Sequence, residues 1–279
     1  MPVLVIGAAG AVGRLTTAAL RERGAEVVAL AEPGDEGDAG ALRAAAEGCE
    51  AVLLLTPHTP GQVAAQNAAV DAAADVGARL VKVSSWGPAV RQDSPVPGAR
   101  RDWITHQYLL RRGLPYTVLQ PDPLMQSLIG EQAADVRERG VLVDPVGGRG
   151  IGMVDARDVA EVAARVLTEP GHEGRTYRLG GSAPTACRDI AGLLSGLTAR
   201  RVRCRELLPE EVAPWLARRH GAGEEAEGGA ALFALLRAGA GDPSGDDVVR
   251  IAHRAPRGVE EFLKDHLHDF LPGCGEASR

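Results

Sequence analysis

Three glycines, Gly7, Gly10 and Gly13, follow the apolar run Val3–Ile6 and lead into a helical pattern in "VLVIGAAGAVGRLTTAAL". The first amide groups of a helix have no intrahelical acceptor and carry partial positive charge, so they attract phosphate. Bare backbone at Gly7 and Gly10 keeps the turn tight and open to a diphosphate, and Gly13 lets the helix pack closely. The segment Gly7, Ala9, Gly10, Ala11, Val12 and Gly13 is therefore expected to grip the diphosphate of a dinucleotide. About 20 residues beyond the last glycine, where such sites meet the ribose, "VVALAEPG" places Glu32 at the tip of a second apolar run. A carboxylate there accepts hydrogen bonds from ribose hydroxyls and repels a 2′-phosphate, which favours NAD over NADP. Arg14, a phosphate partner by charge, pulls the other way.

These residues need a scaffold that ends several strands at one edge. Short apolar runs at Val3–Ile6, Val27–Ala31, Ala51–Leu55, Arg79–Ser84, Thr117–Gln120 and Arg175–Leu179 read as strands apolar on both faces. Helical patterns at Ala11–Arg23, Gly40–Ala46, Gly61–Val76, Asp102–Arg112 and Asp155–Thr168 separate them. The alternation predicts an α/β protein with a Rossmann-type doubly wound parallel sheet. Beyond about residue 182 helices dominate, at Arg188–Gly196, Glu210–Arg219 and Val259–His268, with a Gly- and acid-rich stretch between that carries one short helix at Ala230–Leu236. The expected division is a dinucleotide-binding domain over residues 1–182, with a cleft-lining loop at 121–153, and a mainly helical substrate lobe over 183–279.

Composition narrows the partners. Net charge is −6 with no basic block, so no nucleic-acid footprint is expected. No apolar run approaches a membrane span, and no leader of the secretory type precedes the first strand. The four cysteines are scattered without metal-ligand spacing, which predicts no metal and a reducing, cytoplasmic compartment. Monomer and homodimer both remain open.

Several segments together resemble a known group: "VIGAAGAVG", "AVLLLTPHTPGQVAAQNAAVDAA", "ARLVKVSS", "GLPYTVLQP", "GMVDARDVAEVAARVLTEPGHEGRTYRLGG" and "HRAPRGVEEFL". In order and spacing they resemble the NmrA-like, atypical branch of the short-chain dehydrogenase/reductase superfamily, almost end to end. The resemblance implies a bound nicotinamide dinucleotide and a small C-terminal lobe closing over a substrate cleft. It implies that Thr56 and Pro57 lie against the cofactor, that Ser84 and Ser85 lie near the nicotinamide, and that Pro121 and Asp122 border the same ring. Trp86 and Met125 are then expected to line a substrate pocket with Asp122. Gln126, Arg149 and His58 are weaker candidates.

The superfamily's Tyr-x-x-x-Lys pair is missing: four residues after Tyr108, Tyr116 and Tyr177 stand Arg112, Gln120 and Gly181. In its place the helix "RDWITHQYLLRRG" carries Asp102 and His106, one turn apart and on one face. Asp102 is expected to orient the imidazole, His106 to act as acid or base, and Ser85 to hydrogen-bond a substrate oxygen. Gln120 stands where relatives carry arginine. The expected activity is an NAD(P)(H)-dependent oxidoreductase acting on a small carbonyl or quinone-like molecule, with some specialised-metabolite substrates included. The alternatives are a non-catalytic redox sensor that binds the dinucleotide, and a non-redox cyclase, lyase or isomerase on the same fold.

Overall fold

The computed structural model describes residues 1–30, 38–240 and 245–272. The chain forms two compact units, each assembled from three separate stretches. The first comprises Met1–Pro121, Ala156–Leu179 and Gly245–Arg254, and the second Asp122–Asp155, Gly180–Ser244 and Ala255–Arg279.

The first unit is a six-stranded sheet of order β2-β1-β3-β4-β5-β7. Its strands are β1 (Pro2–Ile6), β2 (Glu26–Leu30), β3 (Ala51–Leu54), β4 (Arg79–Val83), β5 (Tyr116–Pro121) and β7 (Arg175–Leu179). Every pairing in it is parallel, with Val3 opposite both Val27 and Ala51. The chain runs outward from β1 to β2 and then returns to β3, so the topological switch point falls between β1 and β3, where open α/β sheets bind ligands. The helices are α1 (Ala11–Glu22), α2 (Ala39–Ala46), α3 (Gln62–Asp75), α4 (Pro97–Arg112), α6 (Ala156–Thr168) and α10 (Asp247–Ala252).

Small residues set the packing. Helix α1 buries Val12, Gly13, Thr16, Thr17 and Leu20, a single face at helical spacing, and packs on α6. On the other side, alanines of α3 close over Leu4, Ile6, Val52, Leu54 and Leu80. Helix α4 begins five residues before the expected Asp102, because Pro97 occupies its first position, where the missing N–H costs nothing and the fixed φ suits a helix.

The second unit holds a two-stranded parallel sheet of β6 (Val141–Asp144) and β8 (Arg203–Glu206), with Leu142 opposite Cys204. Around it lie α5 (Ala133–Arg139), α7 (Cys187–Thr198), α8 (Pro209–His220), α9 (Glu224–Arg237), α11 (Val259–Asp265) and α12 (Leu267–Phe270). Met125, Leu194, Phe262 and Phe270 centre one core, and Trp215, Leu216 and Leu207 a second. Among the described residues no helix is long and apolar enough to cross a membrane.

Candidate functional site

The glycine segment turns sharply at the end of β1. Gly7 has φ +79°, and a Cβ on it would lie 2.5 Å from the Leu55 carbonyl oxygen beyond β3, so the backbones of the two strand ends meet at the switch point. Gly13 is equally constrained: its Cβ would fall 2.1 Å from the Gly7 oxygen and 2.9 Å from Ala8 Cα. Gly10 differs. It occupies the N-cap of α1, is exposed, and a Cβ there would meet nothing nearer than the Gly7 oxygen at 3.6 Å. Packing among the described residues therefore does not require glycine at position 10. Among the described residues no side chain caps α1, and no acidic residue stands in its first turn. An open, uncapped helix start beside two backbone-tight glycines fits the diphosphate of a dinucleotide. Arg14 donates through Nη1 to the Ala9 oxygen at 2.8 Å, which holds its guanidinium beside this corner. Glu32 lies outside the described residues.

A second cluster forms where β3 and β4 end against α3 and α4. Lys82 is fully buried in β4, and its Nζ donates to Asp102 Oδ1 of α4 at 2.5 Å. The same oxygen accepts Gln62 Nε2 at 2.9 Å and Gln66 Nε2 at 3.1 Å from α3. Asp102 Oδ2 accepts the Ser85 backbone N–H at 2.7 Å and the Ser85 hydroxyl at 2.6 Å. Burial alone would raise the carboxyl's pKa. The Lys82 ammonium, the hydrogen bonds from Lys82 and Ser85, and the field of His58 outweigh it and bring the value to about 2. Asp102 is therefore a fixed anion that orients Ser85.

Ser85 gives its single proton to Asp102, so its lone pairs face away, and His58 Nε2 lies 3.2 Å from the hydroxyl oxygen. The His58 ring is exposed and passes over Gly98 of α4, where a Cβ would come within 2.7 Å of it. A polar chain thus runs from a solvent-facing imidazole through a half-buried hydroxyl to a buried ion pair. Lysine in an inner strand of a chain with two lysines was the sequence signal for this cluster, since lysine is almost never fully buried unpaired.

The structure corrects the expected Asp102–His106 pair. Both residues sit on α4, but the five donors on Asp102 exhaust its lone pairs, and among the described residues none of them is His106. The His106 ring instead meets Tyr116 edge-on at a centroid separation of 6.0 Å. Burial first, and repulsion from Lys82 second, lower its pKa against the pull of Asp102.

The other expected residues are placed as follows. Thr56 follows β3 and its Oγ1 accepts Gln66 Nε2 at 2.8 Å, which ties the strand end to the Asp102 cluster; Pro57 beside it is exposed. Ser84 continues the sheet through its N–H to the Leu119 oxygen at 2.8 Å. Trp86 is buried ahead of a short 3-10 turn, Gly87–Ala89, and Pro121 ends β5. Asp122 and Met125 belong to the second unit. Asp122 is buried there, and Met125 is wholly enclosed in a core with Leu128, Met153 and Phe262, so it offers no surface to a ligand. In the same unit Cys187 and Cys204 meet at Sγ–Sγ 2.7 Å near Asp144, a proximity their sequence spacing hides. Burial pushes both thiols up, and both Asp144 oxygens already accept N–H groups, from Val146 and Gly148.

No protein-family model matches the chain. The chain is 30% identical over 284 residues to an NAD(P)H azoreductase of Xenophilus azovorans, covering 96% of this chain and 99% of that protein. It is 33% identical over 220 residues to a (4-alkanoyl-5-oxo-2,5-dihydrofuran-3-yl)methyl phosphate reductase of Streptomyces griseus, covering 74% and 77% of the two chains. Among solved structures, an NADPH-dependent quinone oxidoreductase of Escherichia coli complexed with NADPH superposes with a TM-score of 0.82 at 22% identity, over 95% of this chain and 99% of that one.

Proposed function

The chain belongs to the NmrA-like, atypical branch of the short-chain dehydrogenase/reductase superfamily, and on that premise we propose that it is an NAD(P)H-dependent oxidoreductase acting on a small carbonyl or quinone-like acceptor. The observation that carries this reading is the corner at Gly7, Gly10 and Gly13. Two of these glycines are demanded by backbone contacts, and the third is left open at an uncapped helix start.

Backbone amides at the start of α1 would hold the diphosphate, with Arg14 adding charge and Thr56 and Pro57 standing at the neighbouring strand end. The bound cofactor supplies a hydride. What the chain adds is order around the acceptor. Asp102, fixed by Lys82, Gln62 and Gln66, holds the Ser85 hydroxyl in one orientation. His58, the solvent-facing member of that chain, replaces His106 as the proton donor in this reading. Glu32 is taken to favour NADH over NADPH, as its charge and its position in the sequence imply.

The test is oxidation of NADH and NADPH by the purified chain with a panel of quinones and carbonyl compounds. Turnover with at least one of them supports the reading; a dinucleotide bound tightly and never oxidised favours the sensor alternative. With an active acceptor in hand, His58→Ala is expected to lower kcat about 100-fold or more. Ser85→Ala is expected to lower kcat while leaving dinucleotide affinity unchanged. A His58→Ala enzyme with wild-type kcat would remove His58 from the proton path.

A further inference from the structure

A cavity of about 200 Å³ lies inside the second unit, walled chiefly by Leu128, Leu142, Ile151, Met153, Phe233 and Leu236. Apolar cavities of roughly 150 Å³ admit a single benzene ring, so this one has room for a ring-sized body. Into its lining the fold also sets an acid, Glu131. That residue stands in a one-turn π-helix, Leu128–Gln132, a widened turn of the kind that recurs at functional sites. The next residue, Gln132, locks the turn in place: its amide donates to the Val143 oxygen and accepts the Val143 N–H, both at 3.0 Å.

Among the described residues the Glu131 carboxyl has no hydrogen bond and no ion pair. The nearest cation is spoken for: Arg219 Nε donates to the Glu131 backbone oxygen, Nη1 to the Trp215 oxygen, and Nη2 to Asp135. The charged residues on the cavity wall are Glu131, Asp144 and Arg149, an excess of one acid. Asp144 accepts a backbone N–H of its own loop on each oxygen, and the Arg149 guanidinium packs against Gly239 at the end of α9. Among the described residues Glu131 is thus an acid of the lining whose carboxyl lacks a partner, beside an apolar chamber.

We propose that this cavity binds a small molecule with an apolar, ring-sized body and one protonated nitrogen, for which Glu131 is the counter-ion. A neutral donor would satisfy one lone pair, whereas an ammonium supplies both the hydrogen bonds and the missing charge in a site of low polarity. Without such a ligand, burial pushes the Glu131 carboxyl up to about 7, with Arg219 on α8 drawing it down and Glu225 on α9 raising it further. The group is therefore divided between acid and anion at neutrality, and a bound ammonium draws off its proton. The inference stands apart from the reductase reading, because binding is measured without cofactor or turnover.

The experiment is calorimetric titration of the full chain with benzylamine and with its neutral counterpart benzyl alcohol, at about pH 6 and about pH 8. The amine stays protonated at both. It is expected to bind more tightly than the alcohol, and about tenfold more tightly at the higher pH, as Glu131 ionises. In Glu131→Gln the preference for the amine and the pH dependence are both expected to vanish while the alcohol still binds. Amine affinity that is flat with pH in the wild type, an alcohol that binds as well as the amine, or no binding by either would each overturn the proposal. The wild-type pH profile decides even where Glu131→Gln does not fold.

Discussion

Asp102→Asn is expected to cost the protein about 3–5 kcal/mol of stability, the penalty for removing one partner of a buried ion pair. Among the described residues Asp102 is the acceptor for Lys82, which is wholly buried, so the variant strands an ammonium in the interior. Lys82→Met is expected to cost less. It leaves Asp102 with the amides of Gln62 and Gln66 and both donors of Ser85. Denaturant midpoints of the two variants measure the asymmetry, and equal losses would mean that the side-chain amides and Ser85 contribute little. A pH signature accompanies it. The Asp102 carboxyl lies near 2 in the folded chain against an ordinary 3.8. The stabilisation is therefore complete above about pH 4 and is lost as pH falls through 2, roughly 2 kcal/mol in all. Asp102→Asn should lack that acid-labile component.

Gly13→Ala is expected to weaken dinucleotide binding by about 100-fold or more, close to 3 kcal/mol, and to lower the melting temperature as well. The added methyl would sit inside van der Waals contact of the Gly7 oxygen and Ala8 Cα, so α1 must move off the turn whose amides it presents. Gly10→Ala separates the two effects. Its Cβ has room in the protein, so the melting temperature should hold while affinity falls, because the methyl stands over the open helix start. Binding titrations with NADH and NADPH alongside thermal melts check both variants. Unchanged affinity in Gly13→Ala would mean that the corner holds something other than a diphosphate.

The inner strands of the sheet were legible because they are buried on both faces and read as nearly unbroken apolar runs. Val3–Ile6 and Ala51–Leu54 are wholly interior, and their ends were placed within a residue or two. Strands β6 and β8 were not legible. Each has four residues, β8 reads Arg-Cys-Arg-Glu with little burial, and their pairing joins segments some sixty residues apart. Helix α9 was read as a seven-residue apolar core because two glycines and three glutamates precede that core, yet the helix spans fourteen residues. At the candidate site, the glycine corner was visible because its chemistry is local to one turn. The Asp102 cluster was not, because its donors come from β4, the turn after it, and α3. An i, i+4 spacing along a single helix suggested His106, whereas the carboxylate faced the sheet, and only tertiary placement reveals Lys82 beneath it.

The first unit is finished by a stretch that arrives late. Helix α10 packs on α6, the Asp247 carboxylate accepts the N–H of Arg178 in the last strand of the sheet, and Arg254 pairs with Asp158 and Glu161. A ribosome that has emitted the whole nucleotide-binding sheet has therefore not yet made the residues that close it. The residues that complete its packing follow the last strand by up to some 75 positions, from Leu179 to Arg254. Expressing residues 1–182 alone removes α10 and the Arg254 side chain that pairs with buried Asp158, so the fragment should fold poorly wherever the intact chain folds well.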